Sequence, residues 1–292
     1  MTLLAAEANR APLTPTIART IPWSQIAIGG SAILVLILVA RVIGQSQSVQ
    51  WAEIPHYLMD PLILGGVVLT LELTAVAMIF GIAAGGIVAA MATSRNIVLK
   101  VLAAGFVWCF RGVPLIVQIF FWFNIALFVP EIAIGDTSIS INDVITPSLA
   151  GFLALGLHEA ANMAEIIRGG LLSVDKGQQD AGRALGFTPM QTLRVVVLPQ
   201  AARVIIPPTG NQAIGMLKAS AIVSVIGMED LLTQAQHIYA RNFLVIELLI
   251  VASIWYLAIT TLASIGQYFL ERRLLPVSRP PAKARTAKGD AR

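Results

Sequence analysis

Apolar residues in this chain fall into long unbroken runs rather than the short periodic stretches of a soluble core. From Pro61 to Ser94 the only charge is Glu72, from Val101 to Pro130 it is Arg111, and from Phe243 to Leu270 it is Glu247. A bilayer span needs about 20 apolar residues, so each run is long enough to cross. The pattern predicts six spans: Ile26 to Ile43, Leu62 to about Ala92, a returning span from Val101 to Val129, Ser148 to about Gly170, about Val204 to Ile226, and Phe243 to Leu270. The first run lacks the small-residue cleavage pattern of a secretory signal and reads as a retained span. Pro207, Pro208, Gly210 and Gly215 predict a break in the fifth. Such breaks are tolerated where a helix lines protein or a water-filled cavity, or they serve as packing kinks. Gly65, Gly66, Gly81, Gly85 and Gly86 in the second span sit at spacings that permit close helix contact.

Composition agrees with this reading. The chain has 292 residues, 57% hydrophobic and 12% charged, whereas a soluble domain carries about 25% charge. The runs do not alternate in polarity over segments of about 10 residues, which sets aside an outer-membrane barrel. The single cysteine, Cys109, excludes an intramolecular disulfide and a thiol metal cluster. The fold class expected is therefore an all-α integral membrane protein of about six transmembrane helices.

Orientation follows from the basic residues, which short cytoplasmic loops retain. Sixteen of the twenty Lys and Arg lie in the head, the loop with Arg95 and Lys100, the stretch from Arg168 to Arg203, and the tail from Arg272. Six crossings place all of these on one side, so both termini are expected in the cytoplasm. The net charge of +4 is explained by basic segments facing anionic membrane lipid and needs no nucleic acid.

Residues 171–200 look folded rather than like a linker. Gly186 suits the left-handed residue that ends a helix, and Thr188-Pro189-Met190-Gln191 has the form of a capping box that restarts one. Pro199 is expected to stop it. On this second helix Met190, Leu193 and Val197 make an apolar face. That face packs either on a partner or on the underside of the membrane domain.

The run Asp180-Ala181-Gly182, then Gly186, Val196 and Leu198-Pro199, resembles the Glu-Ala-Ala loop of bacterial ABC importer permeases at its full spacing. Three further stretches match in order: Arg111 to Leu115 with Val117-Gln118 and Phe120-Phe121; Ala164 to Gly170; and Lys218 with Ser220 ahead of Val223 to Gly227. Over about Gly66 to Arg273 the chain resembles the polar amino acid permease subunits, the histidine and glutamine permease family. The resemblance implies a five-helix permease core plus one extra N-terminal helix. A head (1–25), the extra helix with its outer loop (26–60), a permease domain (61–271) and a basic tail (272–292) follow from it.

It also implies that the loop at 171–200 inserts into a groove on a dimer of cytoplasmic ATP-binding subunits, through Asp180, Ala181, Gly182, Gly186, Leu198 and Pro199. A second permease subunit, identical or related, completes the path across the bacterial cytoplasmic (inner) membrane. The outward loops are short, so an extracytoplasmic solute-binding protein captures the solute. This chain is then a non-catalytic subunit without a cofactor, ATP being bound by its partner. Two residues depart from the pattern: Asp180 stands for the usual Glu, and Gly182 for the second Ala, a change that costs a helix about 1 kcal/mol.

The residues themselves agree that the chain does no chemistry of its own. No GxxxxGK loop precedes Lys218-Ala219-Ser220, and His56, His158 and His237 are far apart without cysteine partners. What remains is a solute path. Charges inside a bilayer cost about 2.5 to 3.5 kcal/mol each unless compensated; they are Glu72, Arg111, His158, Glu159, Glu165 and Lys218. His158, Asn162 and Glu165 share one helix face. An amino acid needs an acceptor for its ammonium and a donor for its carboxylate, roles open to Glu165 and Arg111. Equally, Glu165 pairs with Arg168 three residues on, and Arg111 anchors freed carbonyls at a helix break before Pro114. Lys218 and Glu72 serve either the path or assembly. His158 and Glu159, being adjacent, are expected to point apart. Asn162 stands where relatives often carry Tyr.

The function expected is the permease subunit of an importer for polar amino acids. The alternative, an ion-gradient-driven secondary transporter, predicts paired broken helices in two repeated halves, and only one span reads as broken. A membrane-embedded enzyme would need converging catalytic groups, and none are found. A purely structural subunit differs in keeping its role when Arg111 or Glu165 is neutralised.

Overall fold

The computed structural model describes residues 23–134 and 137–274. The head through residue 22 and the basic tail from residue 275, read above as cytoplasmic, lie outside the described residues. The chain divides into two units, residues 1–49 and 50–292. In the first, α1 (Trp23–Gly44) is a single helix with an apolar stretch, Ile26–Val42, and Arg41 in its last turn.

The second unit opens with α2 (Glu53–Leu58) and continues into α3 (Pro61–Thr93). Asp60 starts α3: its carboxylate accepts the Leu62 N–H at 2.8 Å, and Pro61 takes the first turn, where no amide proton is needed. At 33 residues it is about 50 Å long, more than the hydrocarbon thickness of about 30 Å. Next come α4 (Ile97–Gly112) and α5 (Leu115–Phe123), a hairpin of β1 (Glu131–Ile134) and β2 (Thr137–Ser140), and α6 (Ile141–Val144). The hairpin pairs Glu131 with Ser140 and is the sole sheet among the described residues. It lies in the polar stretch after Pro130; the other regular elements among the described residues are helical.

Then follow α7 (Pro147–Leu172), α8 (Lys176–Ala184) and α9 (Pro189–Gln191), which passes through a π-helical turn (Thr192–Val197) into α10 (Leu198–Ala219). A 3-10 stretch (Ser220–Ile226), α11 (Leu231–Asn242) and α12 (Val245–Leu274) complete it. Among the described residues α3 and α12 are the unbroken helices both long and apolar enough to cross, and α4 with α5 forms a bent pair.

Helix α3 is the axis of the fold, and α7 lies against it through a glycine notch. A Cβ on Gly85 would stand 2.7 Å from the Met163 Cβ and 2.8 Å from the Ala160 carbonyl, and one on Gly81 would stand 2.6 Å from the Glu159 Cγ. Gly66 meets the Leu231 backbone of α11 in the same way. Gly65 faces open space, so spacing alone did not select the contacting glycines. Gly85→Val is expected to force α3 and α7 apart and destabilise the helix pair by about 1–3 kcal/mol. The check is a lowered thermal midpoint of the detergent-solubilised chain; an unchanged midpoint would count against this packing.

Two local expectations are corrected and a third is realised. The helix break considered before Pro114 forms: α4 stops at Gly112, and α5 leaves at 101°. Proline explains it, since Val113 before Pro114 is extended (φ −93°, ψ 131°), the conformation a following proline imposes. The fifth span is not broken at Pro207-Pro208, because α10 runs through both prolines. Gln267 of α12 lies over Gly210 and donates to the Pro207 carbonyl at 3.1 Å, so a neighbouring helix supports the proline-bearing segment. Finally, Pro199 does not stop the second loop helix. Leu198 N–H reaches back five residues to the Leu193 carbonyl, and this wider turn carries the chain into α10 with Pro199 in its first turn.

Candidate functional site

Pro114 has no N–H, so the Phe110 carbonyl loses the partner it would have four residues on. Gln118 of α5 supplies a replacement: its Nε2 donates to the Phe110 carbonyl at 2.8 Å and to the Val113 carbonyl at 2.9 Å. His158 of α7 approaches the same Phe110 carbonyl with Nδ1 at 2.9 Å. A carbonyl only accepts, so Nδ1 carries the proton in this contact. The anchoring of freed carbonyls, considered above for Arg111, therefore falls to Gln118 and His158. Gln118 is buried, and its Oε1 has no protein partner.

Beside this break is a cavity of about 170 Å³ whose lining includes His158, Glu159 and Asn162 of α7 and Gln212 of α10. His158 and Glu159 thus share a cavity, against the expectation that they point apart. Adjacent helix positions differ by about 100°, and the space between α5, α7 and α10 spans that angle. Glu159 is the thirteenth of the 26 residues of α7 and 2% exposed. Gln212 Nε2 lies 3.2 and 3.4 Å from its two oxygens, and no cation pairs with it among the described residues. A carboxylate at mid-span without a counter-charge is costly. Sequence reasoning named Glu159 but gave it no role, and it missed Gln212; a polar residue on the facing helix was the only signal.

The other charges distribute differently. Glu165 is paired bidentately with Arg168, at 3.0 Å to Nε and 2.7 Å to Nη2, so the local pair forms and neither Glu165 oxygen reaches Arg111. Arg111 is exposed and lines, with Glu165, Arg168 and Lys100, an open groove of about 500 Å³ between α4 and α7. Glu72 and Lys218 are exposed on their helices and make no ion pair among the described residues. Asn162 joins His158 at the cavity, whereas Glu165, on the same helix face, opens to the groove.

In the loop, Gly186 has φ 80°, and the Thr188 capping box is complete, with Gln191 Oε1 accepting the Thr188 N–H at 2.8 Å. Gly182 is buried where a Cβ would meet Thr192 at 3.2 Å, while Asp180 and Arg183, 3.5 Å apart, are exposed. The apolar face divides: Val197 and Leu193 pack inward with Val174, Leu171 and Ala201, whereas Met190 remains 55% exposed, and Leu185 and Val195 of the same loop are exposed as well. Ala181, Leu198 and Pro199 are exposed. Part of the face thus packs on this chain, and Met190 is left uncovered by it.

A helical membrane protein with a bent span, a buried carboxylate and a folded loop with an exposed apolar edge has the features of a transport protein. Residues 81–276 match the family model described as binding-protein-dependent transport system inner membrane component. The arginine transport system permease protein ArgU of Corynebacterium glutamicum is 37% identical over 246 residues, covering 83% of this chain and 78% of that one. The glutamine transport system permease protein GlnP of Escherichia coli is 33% identical over 214 residues, covering 73% and 93%. Among solved structures, the crystal structure of an amino acid ABC transporter with histidines superposes with a TM-score of 0.65 at 36% identity, covering 73% of this chain and 94% of that chain. The chain belongs to the family of inner membrane components of binding-protein-dependent transport systems. Its membrane-spanning, helical permease fold is the one expected from the sequence.

Proposed function

We propose that this chain is the permease subunit of an ATP-driven importer of polar amino acids, and that Glu159 holds the cationic group of the solute. The observation that carries the reading is the buried Glu159 carboxylate, which faces a cavity and has no cationic partner among the described residues. An amino acid ammonium would form charge-assisted bonds there, with Asn162 beside it. Relatives named as arginine and glutamine permeases support this solute class. Arg111, in the groove between α4 and α7, is the candidate for the solute carboxylate; Glu165, already paired, positions Arg168 instead.

The exposed charges Glu72, Arg111 and Lys218 would be unfavourable against lipid, which supports a second permease subunit facing them across a polar path. The exposed apolar edge at Leu185, Met190 and Val195 is the surface for the ATP-binding subunit, whose nucleotide is then the only cofactor of the system. A binding protein delivers solute from outside, and the chain itself catalyses nothing. The basic loops point both termini to the cytoplasm. Purifying the tagged chain gently from membranes tests this directly. An ATPase at stoichiometric ratio is the expected companion, and recovery of the chain without one would contradict the reading.

A further inference from the structure

A cavity of about 270 Å³ lies where the helix ends meet the loop at 171–200. Thr93, the last residue of α3, and Leu172, the last of α7, line it from the membrane domain; Gln179 and Arg183 of α8 and Thr192 of the π-helical turn line it from the loop. The end of a spanning helix marks the level of the lipid headgroups. Helix α3 has 33 residues, so its length of about 50 Å reaches through a bilayer of about 40–45 Å, headgroups included. Leu172 is 65% exposed at that level.

The lining offers donors and a cation. Thr192 is 5% exposed, and its buried Oγ1 has no partner among the described residues. A buried hydroxyl left unpaired is costly, so such a group calls for a ligand or water. Arg183 reaches Asp180 at 3.5 Å, both side chains being exposed, and a pairing of that kind contributes little. Gly182 leaves the hydroxyl uncovered: a Cβ there would stand 3.3 Å from the Thr192 Oγ1. The glycine that departs from the loop pattern therefore stands against the unpartnered group.

None of the described residues lining the cavity is Asp or Glu. The cationic group of an amino acid or of a choline lipid would find no carboxylate here, whereas an oxyanion would meet a guanidinium, an amide and a hydroxyl. An anion with an apolar body, at headgroup depth, fits both the charge and the place.

We propose that this cavity holds the headgroup phosphate of an anionic phospholipid of the phosphatidylglycerol class, from the leaflet on the loop side. Thr192 and Arg183 take the phosphate, and the acyl chains leave past Leu172. The site stands independently of the solute reading above. A headgroup seated between Thr93 and Thr192 ties the loop to the end of α3, so the position of the loop depends on the bilayer.

The thermal midpoint of the delipidated full-length chain in detergent tests the site. The probes are short-chain phosphatidylglycerol, short-chain phosphatidylcholine and inorganic phosphate. Phosphatidylglycerol is expected to raise the midpoint by about 2–4 °C, and the other two to leave it unchanged. Thr192→Val keeps the shape of the side chain and should lose the rise; Thr192→Ser, which keeps the hydroxyl, should retain it. Arg183 also borders the surface proposed for the ATPase, so Thr192 is the more selective position. Should Thr192→Val fail to fold, Gln179→Leu carries the test, with the same loss expected.

An equal rise with phosphatidylcholine would mean that acyl chains alone fill the cavity, and an equal rise with inorganic phosphate would assign it to a soluble anion. Either overturns the proposal, as does the absence of any rise, or a rise that survives Thr192→Val. A rise produced by the ATPase without lipid, and removed by Thr192→Val, would give the cavity to the ATPase interface and overturn it too.

Discussion

Replacing Gly186 with valine is expected to abolish most ATP-driven uptake while the chain still reaches the membrane. Gly186 holds φ 80° between α8 and α9, a left-handed conformation that a β-branched residue adopts only at a cost of about 1–2 kcal/mol. That strain changes the population of correctly turned loops by a factor of roughly 5–30. A Cβ at this position would meet nothing within 4 Å, so the effect comes from the backbone and not from a clash. The turn sets the angle between Asp180–Arg183 on one side and the exposed Met190 on the other, the surface proposed above for the ATPase. Uptake and ATP hydrolysis measured on the reconstituted complex should separate, with hydrolysis persisting and uptake lost. Gly186→Asn, which tolerates the left-handed region, should retain much of the coupling. Normal uptake with valine would remove the loop from the mechanism.

Glu159→Gln is the second substitution of large effect. Glutamine preserves the shape that Gly81 packs against and can still accept from Gln212, so the helices should assemble as before. What disappears is the negative charge in a cavity that offers the solute no other. A hydrogen bond to a charged group contributes about 1.5–3 kcal/mol, and the solute affinity of the complex should fall roughly ten- to hundredfold. Binding titrations with the glutamine variant check this. Unaltered affinity would mean that Glu159 is a buried structural carboxylate and that the ammonium is held elsewhere.

How much of this the sequence displayed depends on which interactions are local. The apolar runs gave the class of fold, because span length depends on composition alone. The loop was legible in detail: Gly186, Thr188, Pro189 and Gln191 act on their own neighbours, and the turn and capping box formed where spacing placed them. What each proline does depended on distant residues, and Pro207-Pro208 was misread for that reason. Pro207 and Pro208 stay helical with Gln267 lying across from sixty residues away, whereas Pro114 bends the third span with Gln118 and His158 ready to take the freed carbonyls. The candidate site was legible as a list of charges but not as a geometry. Pairing of Glu165 with Arg168 was visible at three-residue spacing; the approach of Gln212 to Glu159 joins helices fifty-three residues apart.

The central claim is that uptake through this chain is driven by ATP hydrolysed on a partner. Its most direct test is uptake of radiolabelled arginine and glutamine into vesicles holding the chain with its ATPase, supplied with the binding protein. Accumulation of either amino acid only when ATP is present on the ATPase side, insensitive to collapse of ion gradients, is the result predicted. Accumulation driven by an ion gradient in vesicles that hold the chain alone would contradict it and make the chain a secondary transporter.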